Sequence, residues 1–422
     1  MWARSSLFFA ICILLALCAG GARSQKSGNA QASQASPSAA PAEIPLATAS
    51  RIERAKNSWW PTKNAQSPGD FLGNKTCANC HAEKTASQLT TPMAHAASVA
   101  ADTRILRDHS SLTAKRGPFT YAISQTAEGY SYSASDSAYQ ISAAILWAFG
   151  NANKGQTYLY EKDGAFYEST MSFYPAISGL DVTTGHEQKR PVNLEEALGT
   201  PQDRPTAEKC FGCHTTGATT VSGGFAPQNA TPGVTCEACH GPGGSHAALM
   251  QQSQGGAAVT PGTLLTFNPA TLSPIASVDF CGACHRTWTD VYEMQSGASG
   301  PVNARFQPYR LENSKCWGVG DARLICTACH DPHQPLQHDA AAYDAKCLAC
   351  HAAAKVKALI PAKHSLAPAS AASHASRVPM ACPVATEKCV SCHMPKVNVP
   401  VMHSDFTDHR IRIVRKGEPY PD

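Results

Sequence analysis

The pentapeptide Cys-x-x-Cys-His occurs seven times in this chain of 422 residues. A Cys/His signature repeated in this way usually marks a bound group that the fold must accommodate. Its copies use fourteen of the eighteen cysteines, and we number them motif 1 to motif 7 in chain order. They are Cys77/Cys80/His81, Cys210/Cys213/His214, Cys236/Cys239/His240, Cys281/Cys284/His285, Cys326/Cys329/His330, Cys347/Cys350/His351 and Cys389/Cys392/His393.

The spacing within each motif has a chemical reason. Two thiols three positions apart on one helical turn can each form a thioether to a haem vinyl group, and the next histidine then faces the iron. A single copy could also be a zinc knuckle or a redox Cys-x-x-Cys pair. Because histidine follows immediately in all seven copies, we predict seven covalently bound haem c groups.

The second iron ligand must come from elsewhere, and histidine is abundant enough to supply it. Seven of the seventeen histidines belong to the motifs, which leaves ten for the distal faces. Ligation by Met93 or Met394 is the minority alternative, and Met394 adjoins its own motif histidine and cannot reach across that haem. We predict as distal ligands the histidines at short offsets from motifs, in the tail and before motif 7: His95, His246, His333, His364, His374, His403 and His409.

The four cysteines outside the motifs separate by position. Residues 1–22 have the basic start, apolar stretch and small-residue cleavage site of a secretory signal, which includes Cys12 and Cys18. Lipid attachment at Cys18 is the alternative. Cys316 and Cys382 remain in the mature chain, and we predict a disulfide between them, with two buried free thiols as the other interpretation. The protein is then secreted across the inner membrane, to the periplasm or the outer surface, with no transmembrane span in the mature chain.

Composition and pattern divide the chain into segments. Residues 23–57 are rich in Ser, Ala, Gln and Pro and indicate a disordered linker. Residues 58–110 form the first haem segment, 111–181 a β-rich insertion, and 182–422 a six-haem domain. Alternation of apolar and polar residues predicts the strands of the insertion, and Asp163-Gly164 predicts a hairpin turn. We therefore expect a mostly α and irregular fold around stacked haems, with a small β insertion between motifs 1 and 2.

Charge restricts the partners. The formal charge is +4, which by itself indicates no nucleic-acid partner. A ferric bis-histidine haem with ionised propionates adds about one negative charge and a ferrous one about two. The haem-loaded protein is therefore net negative when oxidised and more negative when reduced, which favours basic redox partner proteins, either periplasmic or membrane-bound. Self-association stays open.

The motifs, together with their flanking residues, resemble the multihaem c-type cytochromes related to cytochrome c-554, including those of the doubled Cys-x-x-Cys-His type. The matching segments are 77–81 with 91–95, 233–243, 329–333 and 392–396. This resemblance implies closely stacked haem pairs, mostly bis-histidine ligation and respiratory electron transfer. It also suggests His95, His246, His333 and His409 as distal ligands. The β insertion and the number of haems depart from the family, whose best-known members carry four or eight.

Three functions fit these observations. The residues favour an electron carrier over a catalytic oxidoreductase, and no catalytic residue is assigned. The alternative is a multihaem reductase of a small nitrogen or sulfur oxyanion at one open-faced haem, near groups such as Asp181, His186 or Arg190. All seven motifs end in histidine, without the lysine that marks the catalytic haem of pentahaem nitrite reductases. A structural or surface subunit, such as a haem-bearing filament, is the third interpretation.

Overall fold

The structure, a computed structural model, describes residues 70–151, 153–220, 224–254, 266–292, 300–318, 320–352 and 382–421. The predicted signal segment and linker lie outside these residues, as do His364 and His374. Strands dominate the chain between motifs 1 and 2, and short helices dominate the segments that carry motifs 3 to 7. No helix within the described ranges is long and apolar enough to cross a membrane.

The helices are short, and each motif lies on one of them. They are α1 Asn74–Gln88, α2 Arg104–Asp108, α3 Leu194–Leu198, α4 Arg204–His214, α5 Cys236–His240, α6 Gly244–Gln254, α7 Pro274–His285, α8 Trp288–Tyr292, α9 Gln307–Glu312, α10 Cys326–Cys329, α11 Asp344–His351 and α12 Cys389–His393.

The strands lie mainly between residues 97 and 202. They are β1 Ala97–Val99, β2 Ser111–Arg116, β3 Phe119–Thr126, β4 Gly129–Ser135, β5 Gln140–Ala144, β6 Trp147–Phe149, β7 Thr157–Lys162, β8 Ala165–Ser169, β9 Met171–Tyr174, β10 Gly179–Val182 and β11 Gly199–Gln202. Short strands follow: β12 Thr215–Thr216, β13 Thr219–Thr220, β14 Gly224–Phe225, β15 Thr231–Pro232, β16 Lys396–Val399 and β17 Ser404–Thr407.

Two antiparallel sheets are built from these strands. One has the order β1-β6-β7-β8-β11, and the other is a meander, β2-β3-β4-β5. The remaining strands form two-stranded ribbons, including β9-β10 and β16-β17. The predicted hairpin is present, since β7 pairs with β8 across Asp163 and Gly164. Both turn residues have positive φ, 51° and 75°, as a type I′ turn requires.

The main hydrophobic core belongs to the strands. Along β3 the side chains of Phe119, Tyr121 and Ile123 are buried, and the residues between them face outward or are partly covered. This period of two places one face of the meander on the core. The core also contains Tyr132, Tyr158 and Phe173. Burial of such aromatic side chains supplies a large part of the stability of a domain.

A second cluster joins the five-stranded sheet to motif 2. Phe211, which lies between the two cysteines of that motif, is fully buried. Its ring packs edge-on against Trp147 and Phe149 of β6, with ring centroids 5.1 Å apart in both cases. Motif 2 is therefore attached to the sheet through its own middle residue.

The expected fold class is wrong. The structure is 24% strand, and sheets rather than helices organise residues 97 to 202. The β structure is thus not a small insertion in a mostly α protein. The physical reason lies in the distribution of apolar side chains. Between motifs 1 and 2 they are numerous enough to form a core of their own, whereas motif helices such as α5, α10 and α12 are only four or five residues long.

Candidate functional site

One large cavity runs along the helices that carry the motifs. Its volume is about 3800 Å³, several times the roughly 300 to 1,000 Å³ of a site for a single small ligand. Cysteine and histidine side chains of six motifs line it: Cys213/His214, Cys236/Cys239/His240, Cys281/Cys284/His285, Cys326/Cys329/His330, Cys347/Cys350/His351 and Cys389/Cys392/His393. A cavity of this size, lined repeatedly by the same residue types, suits several large groups placed side by side.

Each motif occupies a helical turn at or near a helix end. Helices α4, α5, α7, α11 and α12 all end at the motif histidine. In α1 the backbone leaves helical geometry at His81, where φ is −115° and ψ is 40°. Residues three apart on a helix share a face, so both cysteines of a motif point the same way. The sequence folds locally as thioether attachment requires.

The motif thiols also contact one another between motifs. The thiol of Cys77 hydrogen-bonds that of Cys236, which brings motif 1 beside motif 3. Contacts of the same kind join Cys281 to Cys326, in motifs 4 and 5, and Cys347 to Cys389, in motifs 6 and 7. Six motifs are therefore arranged as three neighbouring pairs.

Two buried carboxylates reinforce these pairs, and sequence reasoning missed both. Glu237, inside motif 3, accepts hydrogen bonds from the backbone N–H groups of Leu72 and Gly73 at 2.9 and 2.8 Å, just before α1 of motif 1. Asp344, at the start of the motif 6 helix, accepts from Lys388 and Cys389 N–H at 2.6 and 2.8 Å, at the start of the motif 7 helix. These backbone bonds hold the pKa of Asp344 below its ordinary value. Nothing in the sequence marks these contacts, because they join distant or separately folded segments.

Burial keeps several motif thiols protonated. It raises the pKa of Cys77 and Cys239 to about 11 and that of Cys210 to about 12. Redox-active Cys-x-x-Cys pairs have the opposite property, a lowered thiol pKa. These thiols therefore do not have the electrostatic surroundings of a dithiol redox centre.

Three motif histidines face a second histidine at a constant separation. The ring centroids of His81 and His246 are 6.4 Å apart, and those of His240 and His333 are 6.0 Å apart. The third pair joins motif 5 to the tail, with 6.3 Å between the centroids of His330 and His409. A metal–imidazole bond is about 2.0 Å, so two rings bound to opposite faces of one iron have centroids roughly 6 Å apart. The residues present fit an iron held between each pair.

These pairs do not follow sequence proximity. His246 lies six residues after His240 of motif 3, yet it faces His81 of motif 1. His333 lies three residues after His330 of motif 5, yet it faces motif 3. Each of these two histidines thus faces the histidine of a motif other than its neighbour in sequence.

Hydrogen bonds orient several of the rings. Nδ1 of His214 lies 2.9 Å from the carbonyl oxygen of Ala96, and that of His240 lies 2.9 Å from the oxygen of Phe267. Such a bond makes Nδ1 the donor and leaves Nε2 as the metal ligand. Burial lowers the pKa of His409 to about 4, so its ring is neutral at pH 7, the form that binds a metal.

The other predicted ligands lie elsewhere. His95 is exposed and is not among the residues that line the cavity. Nε2 of His403 lies 2.8 Å from a carboxylate oxygen of Asp181, and its ring packs edge-on against Tyr174. Cys316 and Cys382 carry free thiols in the structure, and the disulfide between them stays a prediction.

Seven attachment motifs, a shared cavity and histidine pairs at the spacing of an axial ligand set are the features of a multihaem c-type cytochrome. Residues 167–241, which include motifs 2 and 3, match the family described as cytochrome c554 and c-prime. Over these residues the chain is similar to the multihaem c-type cytochromes.

A solved structure, that of the outer cell wall cytochrome OcwA, is also similar to part of the chain. The match has 16% sequence identity and a TM-score of 0.27 over 51% of this chain. It covers 37% of the length of that protein. No match was found among curated proteins.

Proposed function

We propose that the protein is a secreted heptahaem cytochrome that transfers electrons between respiratory partners through a chain of mostly bis-histidine haems. The observation that carries this proposal is the set of three imidazole pairs, 6.0 to 6.4 Å apart, formed across different motifs. An iron with two histidine ligands has no open face for a substrate and keeps its ligands during oxidation and reduction. Such haems carry electrons rather than bind reactants.

The contacts between motifs support an order for the haems. Thiol contacts pair motif 1 with 3, 4 with 5 and 6 with 7. Phe267, whose oxygen lies beside His240 of motif 3, packs against Phe280 of the motif 4 helix with ring centroids 5.5 Å apart, which connects the first pair to the second. The ring of His330 in motif 5 packs edge-on against Tyr343, directly before the motif 6 helix, which connects the second pair to the third. The order is then 1-3-4-5-6-7. Motif 2 is a branch at motif 4, because Cys213 Sγ lies 3.4 Å from the oxygen of Ala283.

The proposed cofactor complement is seven haem c groups attached through the fourteen motif cysteines. The motif histidines and the seven distal candidates named from the sequence provide the axial ligands. The signal-like residues 1–22 support export to the periplasm or outer surface, where redox proteins of the respiratory chain are the partners.

Haem stoichiometry tests the heptahaem proposal directly. The mature protein is produced together with haem-maturation machinery, and its intact mass is measured. We expect the mass of seven haems, one haem fewer when both thioether positions of motif 7 are removed in Cys389→Ser combined with Cys392→Ser, and no loss in the control Cys382→Ser, whose cysteine lies outside the motifs. A wild-type mass with fewer than seven haems would contradict the proposal.

A second candidate function, reduction of a small oxyanion, is favoured by one region of the cavity. Among the described imidazoles, none lies opposite His214 or His285 at the separation of the three pairs, and the ring parallel to His214 is that of Phe149 at 5.0 Å. Arg305 lines the same cavity, and within the described ranges no carboxylate lies at ion-pair distance from it. A partly buried, unpaired cation stabilises an anion beside it.

Carbon monoxide distinguishes the two functions, because it binds a reduced haem only at an open face. The electron-carrier proposal predicts low-spin EPR signals for every haem and no carbon monoxide binding. One high-spin haem that binds carbon monoxide, and whose spectrum nitrite or sulfite perturbs, would favour the reductase. In that case Arg305→Gln should weaken the anion effect at least tenfold, while Arg104→Gln, an exposed control, should not.

A further inference from the structure

A fully buried ion pair lies beside the last of the three histidine pairs. Arg310 on α9 and Asp408 in the tail both have side chains with no exposed surface. Nε of Arg310 donates to one oxygen of Asp408 at 2.8 Å, and Nη2 donates to the other at 3.0 Å. The guanidinium also lies over the ring of Tyr420, 4.6 Å from its centroid. The pair thus has the two-pronged geometry that is specific to arginine and carboxylate.

Such a pair needs a reason other than stability. Taking two charges out of water costs several kcal/mol each, and replacing a buried ion pair by apolar residues is often neutral or stabilising. The best-attested use of a buried polar pair is to fix the register of two segments. Here the segments are helix α9 and the tail, which are 98 residues apart at this contact.

The tail residue next to Asp408 is His409, whose ring faces His330 of motif 5. Hydrogen bonds fix the backbone on both sides of it, and before it Asp408 N–H donates to the oxygen of Pro395 at 2.9 Å. Asp408 accepts from Arg410 N–H at 3.0 Å, and the hydroxyl of Ser314 accepts from Ile411 N–H at 2.8 Å. The same hydroxyl donates to the carbonyl oxygen of His409 at 3.3 Å. Asp408 and Ser314 therefore hold the backbone around His409 at two points.

His333 is held in a different way. It lies in an exposed loop and hydrogen-bonds Asp331, a neighbour two residues away. Local sequence can place that ring. His409 approaches from a segment distant in sequence, so its position depends on a tertiary contact.

We infer that Arg310 and Asp408 are positioning residues that hold His409 on the iron of the motif 5 haem and so keep this haem six-coordinate. This inference rests on the proposed bis-histidine function. In the haem order proposed above, motif 5 lies in the middle of the chain of haems. Loss of its distal ligand would open a face within the electron path and change the potential of that haem, since the axial ligand is a principal determinant of haem potential.

The test uses the haem-loaded full chain, with EPR, carbon monoxide binding to the reduced form and a potentiometric titration. His409→Ala should open one haem per molecule to carbon monoxide. Asp408→Asn should open the same haem in a substantial fraction of the molecules and shift the potential of that haem. Arg310→Lys keeps the positive charge but loses the two parallel hydrogen bonds of the guanidinium, so its effect should be smaller. The exposed pair Arg204 and Glu208 provides a matched control, and Glu208→Gln should change nothing.

A double variant separates positioning from stability. Arg310→Met combined with Asp408→Leu removes both fully buried charges. It leaves Arg412, which also donates to Asp408 and is 15% exposed, without that carboxylate. The unfolding midpoint should therefore partly recover relative to Asp408→Asn, while the haem remains open to carbon monoxide. Recovery of six-coordination in the double variant, or full six-coordination in both Asp408→Asn and Arg310→Lys, would overturn the inference. No opened haem in His409→Ala would instead refute His409 as a ligand, and with it this part of the proposed function.

Discussion

The surroundings of His409 keep its imidazole in the neutral form. Burial is the largest cause of its lowered pKa, and the hydrogen bond to Thr407 only partly opposes it. The same direction holds for His214 and His330, whose pKa values burial also lowers. A neutral ring with a free Nε2 is the form that binds iron. Protonation would place a charge in a buried site, so these rings stay neutral at pH 7.

The pKa of His409 gives a prediction with a definite sign. Its folded value of about 4 lies below the ordinary 6.5, so between these values the unfolded chain binds the additional proton. Stability is therefore retained above about pH 6.5 and lost as the pH falls towards 4, by about 3 kcal/mol in total. In chemical denaturation at pH 7 and pH 4.5, His409→Ala should lose less stability than the wild type. An equal loss in both would contradict the assignment.

Motif 2 and the five-stranded sheet depend on each other as elements. Phe211 is at the centre of an aromatic cluster that includes Trp147, Phe166 and Phe225, with centroids within 5.4 Å of its own. Phe149 contacts both Phe211 and His214. The sheet therefore sets the position of the motif 2 helix, and packing rather than chain connectivity places this motif beside motif 4.

Truncation of this anchor should be costly. Phe211→Ala leaves a cavity in a fully buried cluster, so we expect a loss of about 3 to 5 kcal/mol in the free energy of unfolding. It should also perturb the spectrum of one haem. Circular dichroism melts and EPR of the haem-loaded protein measure the two effects. Tyr139→Ala, at a 75% exposed aromatic position, is the control and should change neither the stability nor the haem spectrum. A similarly small effect for both variants would show that Phe211 does not anchor motif 2.

At the scale of the whole molecule, the two parts of the chain are held together differently. The strands between 97 and 202 surround an aromatic core of side chains. The segments with motifs 3 to 7 contain only small side-chain clusters, such as Val278, Leu311 and Trp317, and they surround the cavity instead. Haem burial must then supply much of their driving force, since a haem is a large apolar plate.

This difference predicts unequal resistance to protease when haem is absent. The full chain produced without haem maturation should lose the segments of motifs 3 to 7 rapidly, whereas a fragment covering about 97–202 should persist. The haem-loaded chain should resist throughout. Limited proteolysis followed by mass spectrometry of the fragments is the measurement, and uniform digestion of both parts would contradict the prediction.

Local chemistry could be derived from the sequence, and the strand content could not. The spacing of Cys77, Cys80 and His81 predicts haem attachment because the reaction depends on three residues on one turn. The turn at Asp163-Gly164 was likewise predictable, because it depends on backbone geometry at two positions. The extent of the sheets was underestimated, since strands such as β1 and β11 have little pattern of their own and form by pairing with β6 and β8.

By itself, the sequence determined the bound group, its number of attachment motifs and the pool of histidines that could complete the iron sites. Only the tertiary structure decided which histidine faces which: His246 faces His81, His333 faces His240 and His409 faces His330. The tertiary structure also places Glu237 and Asp344, whose carboxylates accept hydrogen bonds from the starts of other motif helices. The physical reason is the distance along the chain over which each kind of contact acts. Thioether chemistry acts within one helical turn, whereas a distal ligand is chosen by the packing of segments that can lie more than a hundred residues apart.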